Sequence, residues 1–308
     1  MGILVIGATF VDIKGFPFDN YLPTGRNAGR VEYVHGGVAR NVVEDIANIE
    51  LRPTFLSIVD DTPMGDAVVK KLKNHKVNTD YLLTRPDGMG TWLAVFDNKG
   101  DVAGSISKRP NMYPIAELLQ EKGDEIFSQV PSVVLEIGLD KEIVKSTLAL
   151  CQKHNVKSFA LVANMSIAAE RRDLLQQFDC VICNQQEAGI LFLDDYENKA
   201  PEEMRDILAE RIVAANIPSM VVTMGAAGAV YANLQGETGV CPARNVQVKD
   251  TTGAGDSFCA GVAIGMTYGK TMAESVEIGT TLAASVITSS ENVCPRFRPE
   301  ELGIQVKN

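Results

Sequence analysis

Residues 250–258 read Asp250-Thr251-Thr252-Gly253-Ala254-Gly255-Asp256-Ser257-Phe258. A run of small residues passes directly into an amphipathic helical pattern over 256–268. Gly253 and Gly255 let the backbone bend so that successive N–H groups point into one concavity. Such a nest, continuous with the positive end of a helix, suits an anion. Asp256 stands at the predicted helix start, beside the place where that anion would lie. A carboxylate there is either a helix cap or a general base. On these residues alone both readings stand, because glycine-rich helix starts also serve as plain structural turns.

Outward from this stretch the chain alternates. Apolar, β-rich runs are read over 3–7, 54–59, 132–137, 158–163, 180–183 and 219–224. Helical patterns lie over 38–49, 64–75, 142–154, 201–215 and, at the end, 256–268 and 272–288. Repeated β-then-α order implies an α/β fold, with a mainly parallel sheet covered by helices on both faces. Two segments break the rhythm. Residues 10–35 are rich in Gly, Pro and Asn, with an alternating piece from Arg30 to Val34. Residues 90–106 read as a hairpin turning at 97–100. Together they predict a small sheet projecting from the main body. No repeat or flexible linker divides the 308 residues, so the chain is expected to be one domain, 1–308. The appended lid is expected over about 10–35 and 90–112.

The formal net charge of −10 argues against nucleic-acid and anionic-membrane partners, which need concentrated positive charge. No apolar run approaches bilayer length. The apolar stretch from Met1 to Gly7 lacks a basic region and reads as a first core strand rather than a signal peptide. The cytoplasm is the expected compartment. Six cysteines in a chain of this length do not suggest a disulfide framework. Cys180 and Cys183 form a C-x-x-C within an apolar strand pattern. That spacing sends the two side chains to opposite faces, which favours core packing over redox or metal chemistry.

The 250–258 stretch resembles the C-terminal signature of the ribokinase-like (phosphofructokinase-B type) carbohydrate kinases, D-T-x-G-A-G-D-x-F-x-x-G, complete through Gly261. It is not a Walker-type P-loop, whose G-x-x-x-x-G-K-[ST] pattern the chain lacks. The resemblance runs over nearly the whole chain and implies a ribokinase-like three-layer sandwich with a small β-sheet lid. It implies transfer of the γ-phosphoryl group of ATP to a primary hydroxyl of a ribose-like sugar or nucleoside. By the same resemblance the amides of Gly253, Ala254 and Gly255 form the anion hole, and Asp256 is the base. Gly36-Gly37-Val38-Ala39-Arg40-Asn41 is similar to the N-terminal signature. Gly36 and Gly37 would allow close approach of a sugar, and Asn41 would bond its hydroxyls. Asp12 stands where members grip a pair of hydroxyls, and Glu136 where some contact the sugar.

Asn184-Gln185-Gln186-Glu187 matches the family's N-x-x-E motif. There the Asn approaches the phosphates and the Glu organises Mg2+, usually through water. The same four residues are also a plausible helix-capping pattern. Thr223-Met224-Gly225-Ala226-Ala227-Gly228 resembles the T-x-G-x-x-G segment near the nucleotide, so Thr223, Gly225 and Gly228 join Thr252 as expected ATP contacts. The helix around 281–290 is expected to flank the adenine. Some members bind K+ near the positions of Asp250 and Thr252, which makes K+ an optional third cofactor beside ATP and Mg2+.

The substrate is less sharply indicated. Asn27-Ala28-Gly29-Arg30-Val31, the wording G-G-V-A-R-N and Gly90-Thr91-Trp92-Leu93-Ala94-Val95 are most similar to pseudouridine kinases and related nucleoside kinases. Asp60 replaces a usual Gly, Ser107-Lys108-Arg109-Pro110-Asn111-Met112 is basic where members are often acidic, and Ala163-Asn164 stands in place of an acidic segment. Lys108, Arg109, Arg26 and Arg30 are either solvated or attract a phosphate already on the substrate. Ribose, a keto-sugar acid and a fructose phosphate therefore stay open as substrates. A catalytically silent nucleoside sensor is the alternative of another class. The lid's outer face is a candidate surface for a homodimer.

Overall fold

The structure, a computed structural model, describes residues 2–162 and 165–306. Met1 and the Ala163-Asn164 pair singled out above lie outside the described residues. The order of elements is β1 (Leu4–Ile6), β2 (Phe10–Pro17), β3 (Gly29–Gly36), α1 (Val38–Asn48), β4 (Thr54–Val59), α2 (Pro63–Asn74), β5 (Leu82–Thr84), β6 (Gly90–Phe96), β7 (Val102–Lys108) and α3 (Tyr113–Phe127). There follow β8 (Ser132–Glu136), α4 (Lys141–His154), β9 (Lys157–Leu161), α5 (Met165–Ala169), α6 (Arg172–Leu175), β10 (Cys180–Asn184), α7 (Gln185–Phe192), α8 (Pro201–Ala215), β11 (Ser219–Thr223), β12 (Ala229–Asn233), β13 (Thr238–Cys241), α9 (Ala254–Thr267) and α10 (Met272–Ile287).

One sheet has the strand order β13-β12-β11-β10-β9-β8-β1-β4-β5. It is parallel from β5 through to β11 and antiparallel only at the β12–β13 edge. Side chains alternate along each strand, so Leu4 and Ile6 enter one apolar cluster and Val5 the other. The first cluster is closed by α3 to α8, for example through Ile115, Ile143 and Met204. The second is closed by α1, α2, α9 and α10, through Val42, Leu72, Val262 and Val276. This is the three-layer α/β architecture. Cys180 and Cys183 go to opposite clusters, as a separation of three on a strand requires.

The sheet grows in one direction from β1 to β4 and in the other from β1 to β8. Such a switch point opens a crevice at the carboxyl ends of the strands. The chain leaves β1 through Gly7, Ala8 and Thr9 directly into the second, smaller sheet, of order β3-β2-β6-β7. Its outer pairs are antiparallel and its central β2–β6 pair is parallel. Alternation places Asp12 and Lys14 on one face. Tyr33, Ile13, Leu93 and Ile106 form a cross-strand row on the other.

Two differences from the sequence patterns have simple causes. Helix α9 begins at Ala254 rather than at 256, because Gly253 takes the left-handed conformation at the cap (φ 82°) and frees the next residues to turn. Helix α3, absent from those patterns, faces the core through Ile115, Leu119, Ile126 and Phe127, and its sequence signal is weakened by Gly123, which stands in the stripe where it packs against Leu150. Among the described residues no helix is long and apolar enough to cross a membrane.

Candidate active site

Gly37 has φ 96°, and a Cβ there would lie 2.7 Å from the Ala8 carbonyl oxygen. Only glycine fits this crossing between β3 and α1. It starts α1 with Asn41 in the helix's first turn, buried and aimed at α9. Asn41 Nδ2 donates to Asp256 Oδ2 at 2.6 Å. The two helices that carry the N-terminal and C-terminal signatures thereby meet at one carboxylate.

Asp256 is the third residue of α9, and its side chain makes no capping bond. Of the two roles open to it from the sequence, capping is not the one its geometry serves. The Ala254 N–H donates to the Thr251 carbonyl at 3.2 Å. The amides of Gly255 and Asp256 have no acceptor among the described residues, as expected for a first helical turn. A Cβ built on Gly255 would meet no described atom within 4 Å, so this part of the loop faces open space. Gly253 instead faces protein: a Cβ there would lie 2.1 Å from the Asn292 carbonyl oxygen. Thr252 is exposed, its N–H and hydroxyl both donating to Asp250 Oδ1 at 2.9 and 2.8 Å. Those bonds lower the Asp250 pKa.

On the strand side, Asp12 lies against Gly36, where a Cβ would sit 2.4 Å from Oδ1. Glu136 ends β8 and accepts the Ala8 N–H at 2.9 Å on Oε2. Gly7 leaves room for both Ala39 and that carboxyl. Burial raises the pKa of Asp12 and of Glu136. The Asp256 carboxyl is pushed up to about 7, foremost by burial, against the pull of the Asn41 hydrogen bond and the Arg40 charge.

Two cavities meet at Gly255, Thr223 and Gly225. One, of about 1140 Å³, is lined by Asn184, Gln185 and Asp194 among others. The other, of about 670 Å³, has apolar walls that include Val246, Val248, Ala283, Ala284 and Ile287. Gly225 also lacks any described atom where a Cβ would be, whereas Gly228 is pressed against the Cys241 carbonyl. An apolar slot leading to unpartnered amides and two open glycines fits a flat base with an anionic tail. Asn184 and Glu187 form a reciprocal capping box on α7, each bond 2.8 Å. This uses Glu187 Oε2, and burial raises the pKa of the carboxyl. No cluster of three or more metal-ligating side chains occurs among the described residues. A single carboxylate fits a hydrated divalent ion held mainly by phosphates, not a metal caged by protein.

Two of the four basic residues weighed as phosphate readers, Lys108 and Arg30, are held in ion pairs, whereas the charge of Arg109 reaches Glu136 and favours its ionised form. Lys108 pairs with Asp87 at 2.8 Å, Arg30 pairs with Glu32 and lies over the Phe16 ring, and Arg109 reaches the Gly138 carbonyl at 3.4 Å. Three features were not anticipated from sequence: Asp45, Arg40 and the Val246–Val248 wall. Asp45 and Arg40 are ordinary polar positions of a helix until the fold buries them. Arg40 alone carried a signal, standing inside the G-G-V-A-R-N wording.

Residues 2–294 match the family model described as pfkB family carbohydrate kinase. A guanosine-inosine kinase of Exiguobacterium acetylicum is 35% identical over 292 residues, covering 94% of this chain and 95% of that protein. A pseudouridine kinase of Escherichia coli is 25% identical over 276 residues, 89% of this chain and 86% of that one. In fold, the structure of Arabidopsis thaliana ribokinase complexed with ribose and ATP matches with a TM-score of 0.86 at 20% identity, covering 97% of each chain.

Proposed function

We propose that this chain, which belongs to the pfkB family of carbohydrate kinases and is a phosphotransferase with an alcohol acceptor, phosphorylates the 5′-hydroxyl of a purine ribonucleoside of the guanosine–inosine type. The observation that carries the chemistry is the 2.6 Å bond from Asn41 to Asp256. It joins the residues read as sugar-holding to the helix start read as anion-holding. The substrate class is supported by the 35% identity to a guanosine-inosine kinase along nearly the full length of both chains. The G-G-V-A-R-N and lid wording, with the 25% match to a pseudouridine kinase, favours pseudouridine as the second substrate to test.

In this reading Asp12, Gly36, Gly37, Asn41 and Glu136 hold the sugar. Asp256 Oδ1 accepts the proton of the attacking hydroxyl as the oxygen–phosphorus bond forms. The amides of Gly255 and Asp256, with Gly253 and Ala254 shaping the turn, face the charge on the transferred group. Asn184, Thr223, Gly225, Gly228 and Thr252 would surround the nucleotide, and Glu187 would help hold a hydrated Mg2+ ion, which would supply charge neutralisation at the phosphates. Bound MgATP supplies the phosphoryl group and leaves as ADP. Any K+ site belongs at the Asp250–Thr252 loop, whose carboxyl is held in its charged form. The small sheet acts as a lid that excludes water. Its exposed row of Tyr33, Leu93 and Ile106 is the face proposed for a homodimer. Six cysteines free of disulfides fit a reducing, cytoplasmic setting.

ADP release measured over guanosine, inosine, adenosine, pseudouridine, ribose and fructose 6-phosphate tests this directly. Turnover should be highest with the 6-oxopurine nucleosides. Turnover with ribose or the phosphosugar alone would overturn the substrate reading. Tight nucleoside binding without ADP release would replace the enzyme by a sensor.

A further inference from the structure

Arg40 is fully buried beside Asn41. Its guanidinium donates to Asn41 Oδ1 and to the His35 carbonyl, and its Nε lies 3.3 Å from the Gly36 carbonyl. Nη1 pairs with Glu44 at 2.9 Å. Glu44 is itself fully buried, and its second oxygen pairs at 3.0 Å with Lys71 of α2. A guanidinium has donors only. The carbonyl end of the Asn41 amide is therefore committed to Arg40, and its NH2 end must face Asp256. A flipped amide would set donors against donors at Arg40 and an oxygen against the Asp256 carboxylate.

We infer that Arg40 is a positioning residue, which locks Asn41 so that it donates to Oδ2 of Asp256 and leaves Oδ1 to take the substrate proton. This rests on the reading of Asp256 as the base. The same cation opposes the groups that hinder ionisation of Asp256. Those are burial, Glu136 from β8 and Glu187 from α7. Asp45 of α1 lies on the far side of α9's first turn, bonded to Ser257. Lysine cannot replace Arg40, because a single ammonium cannot span the His35, Gly36, Asn41 and Glu44 groups at once.

Two variants separate the lock from the charge. Arg40→Lys keeps the charge and loses the fork. Its kcat should fall about tenfold or more, a typical loss for a misplaced catalytic group, while the acid limb of kcat/KM stays near the wild-type pH. Arg40→Met with Glu44→Met removes both charges at similar volume. Its acid limb should move up by roughly half to one pH unit, since an opposite charge nearby lowers a carboxyl pKa. Loss of fold alone would lower the yield of active enzyme and leave the limb where it was. The proposal falls if both variants fold with wild-type kcat and an unmoved limb, or if neither gives a folded chain, which would make Arg40 purely structural. The base reading is tested apart from it. Asp256→Asn with near-normal turnover sinks that reading, whereas an inactive Asp256→Asn with indifferent Arg40 variants sinks only the lock.

Discussion

Ser257 Oγ donates a 2.8 Å hydrogen bond to Oδ2 of Asp45, a carboxyl fully buried on α1. Asp45 Oδ1 also accepts the Cys294 N–H at 2.6 Å. One buried acid thus ties the first turn of α9 to α1 and to the C-terminal segment. Burial pushes its pKa up to about 7.

The folded state therefore holds a proton on Asp45 between about pH 4 and 7 that the unfolded chain has released, so this group's contribution to stability falls as pH rises through that window. Asp45→Asn keeps an acceptor for Cys294 and turns an N–H toward Ser257 Oγ, in place of the O–H that the protonated acid presents, without a charge. Urea unfolding of wild type should lose about 1–3 kcal/mol more than the variant between pH 5 and pH 8. Equal losses in the two proteins would show that Asp45 is not protonated in that range.

Asp256 must be ionised to accept a proton, and its carboxyl lies at about 7. We expect kcat/KM to rise tenfold per pH unit below about pH 7 and to level above it. Asp256→Asn should lower kcat by roughly 10²- to 10⁴-fold with little change in nucleoside affinity. Steady-state kinetics from pH 5.5 to 8.5, with calorimetric binding of the nucleoside, checks both.

The two glycines of the loop should respond in opposite ways. Gly255→Ala meets no described atom and adds a helix-favouring residue, so Tm should stay or rise slightly. Its methyl group enters the space shared by both cavities, and KM for ATP should rise about tenfold or more. Gly253→Ala sits at φ 82° against the Asn292 carbonyl. It should cost about 1–3 kcal/mol of stability from strain alone. Differential scanning calorimetry beside ATP kinetics distinguishes the pair.

Glu187→Gln preserves the capping box, because Gln fills the same role at the third helical position. Thermal stability should therefore barely change. The Mg2+ concentration for half-maximal rate should rise severalfold if the carboxylate orients the hydrated ion. An unchanged Mg2+ dependence would limit Glu187 to its capping role.

Much of the fold was legible because its signals are local. The continuous apolar run of β1, the turn at 97–100 and the apolar stripe of α8 are properties of neighbouring residues. Motif spacing likewise marked Asp256 and the glycines around it. Helix α3 is weakly signalled because Gly123 interrupts its apolar stripe. The fates of Lys108 and Arg30 were undecidable because Asp87 and the Phe16 ring, which they meet, are chosen in space.

What the sequence by itself determined about this protein was the parallel α/β layering, the extra small sheet and a carboxylate beside a glycine-rich helix start, since each follows from periodicity and backbone sterics within a few residues. Only the tertiary structure decided that Asn41 reaches Asp256, 215 positions away, that Arg40 and Glu44 are buried as a pair, and that Gly255 faces space while Gly253 faces protein. Those facts depend on how layers close over one another, and no local stretch of chain carries the distance between two helices.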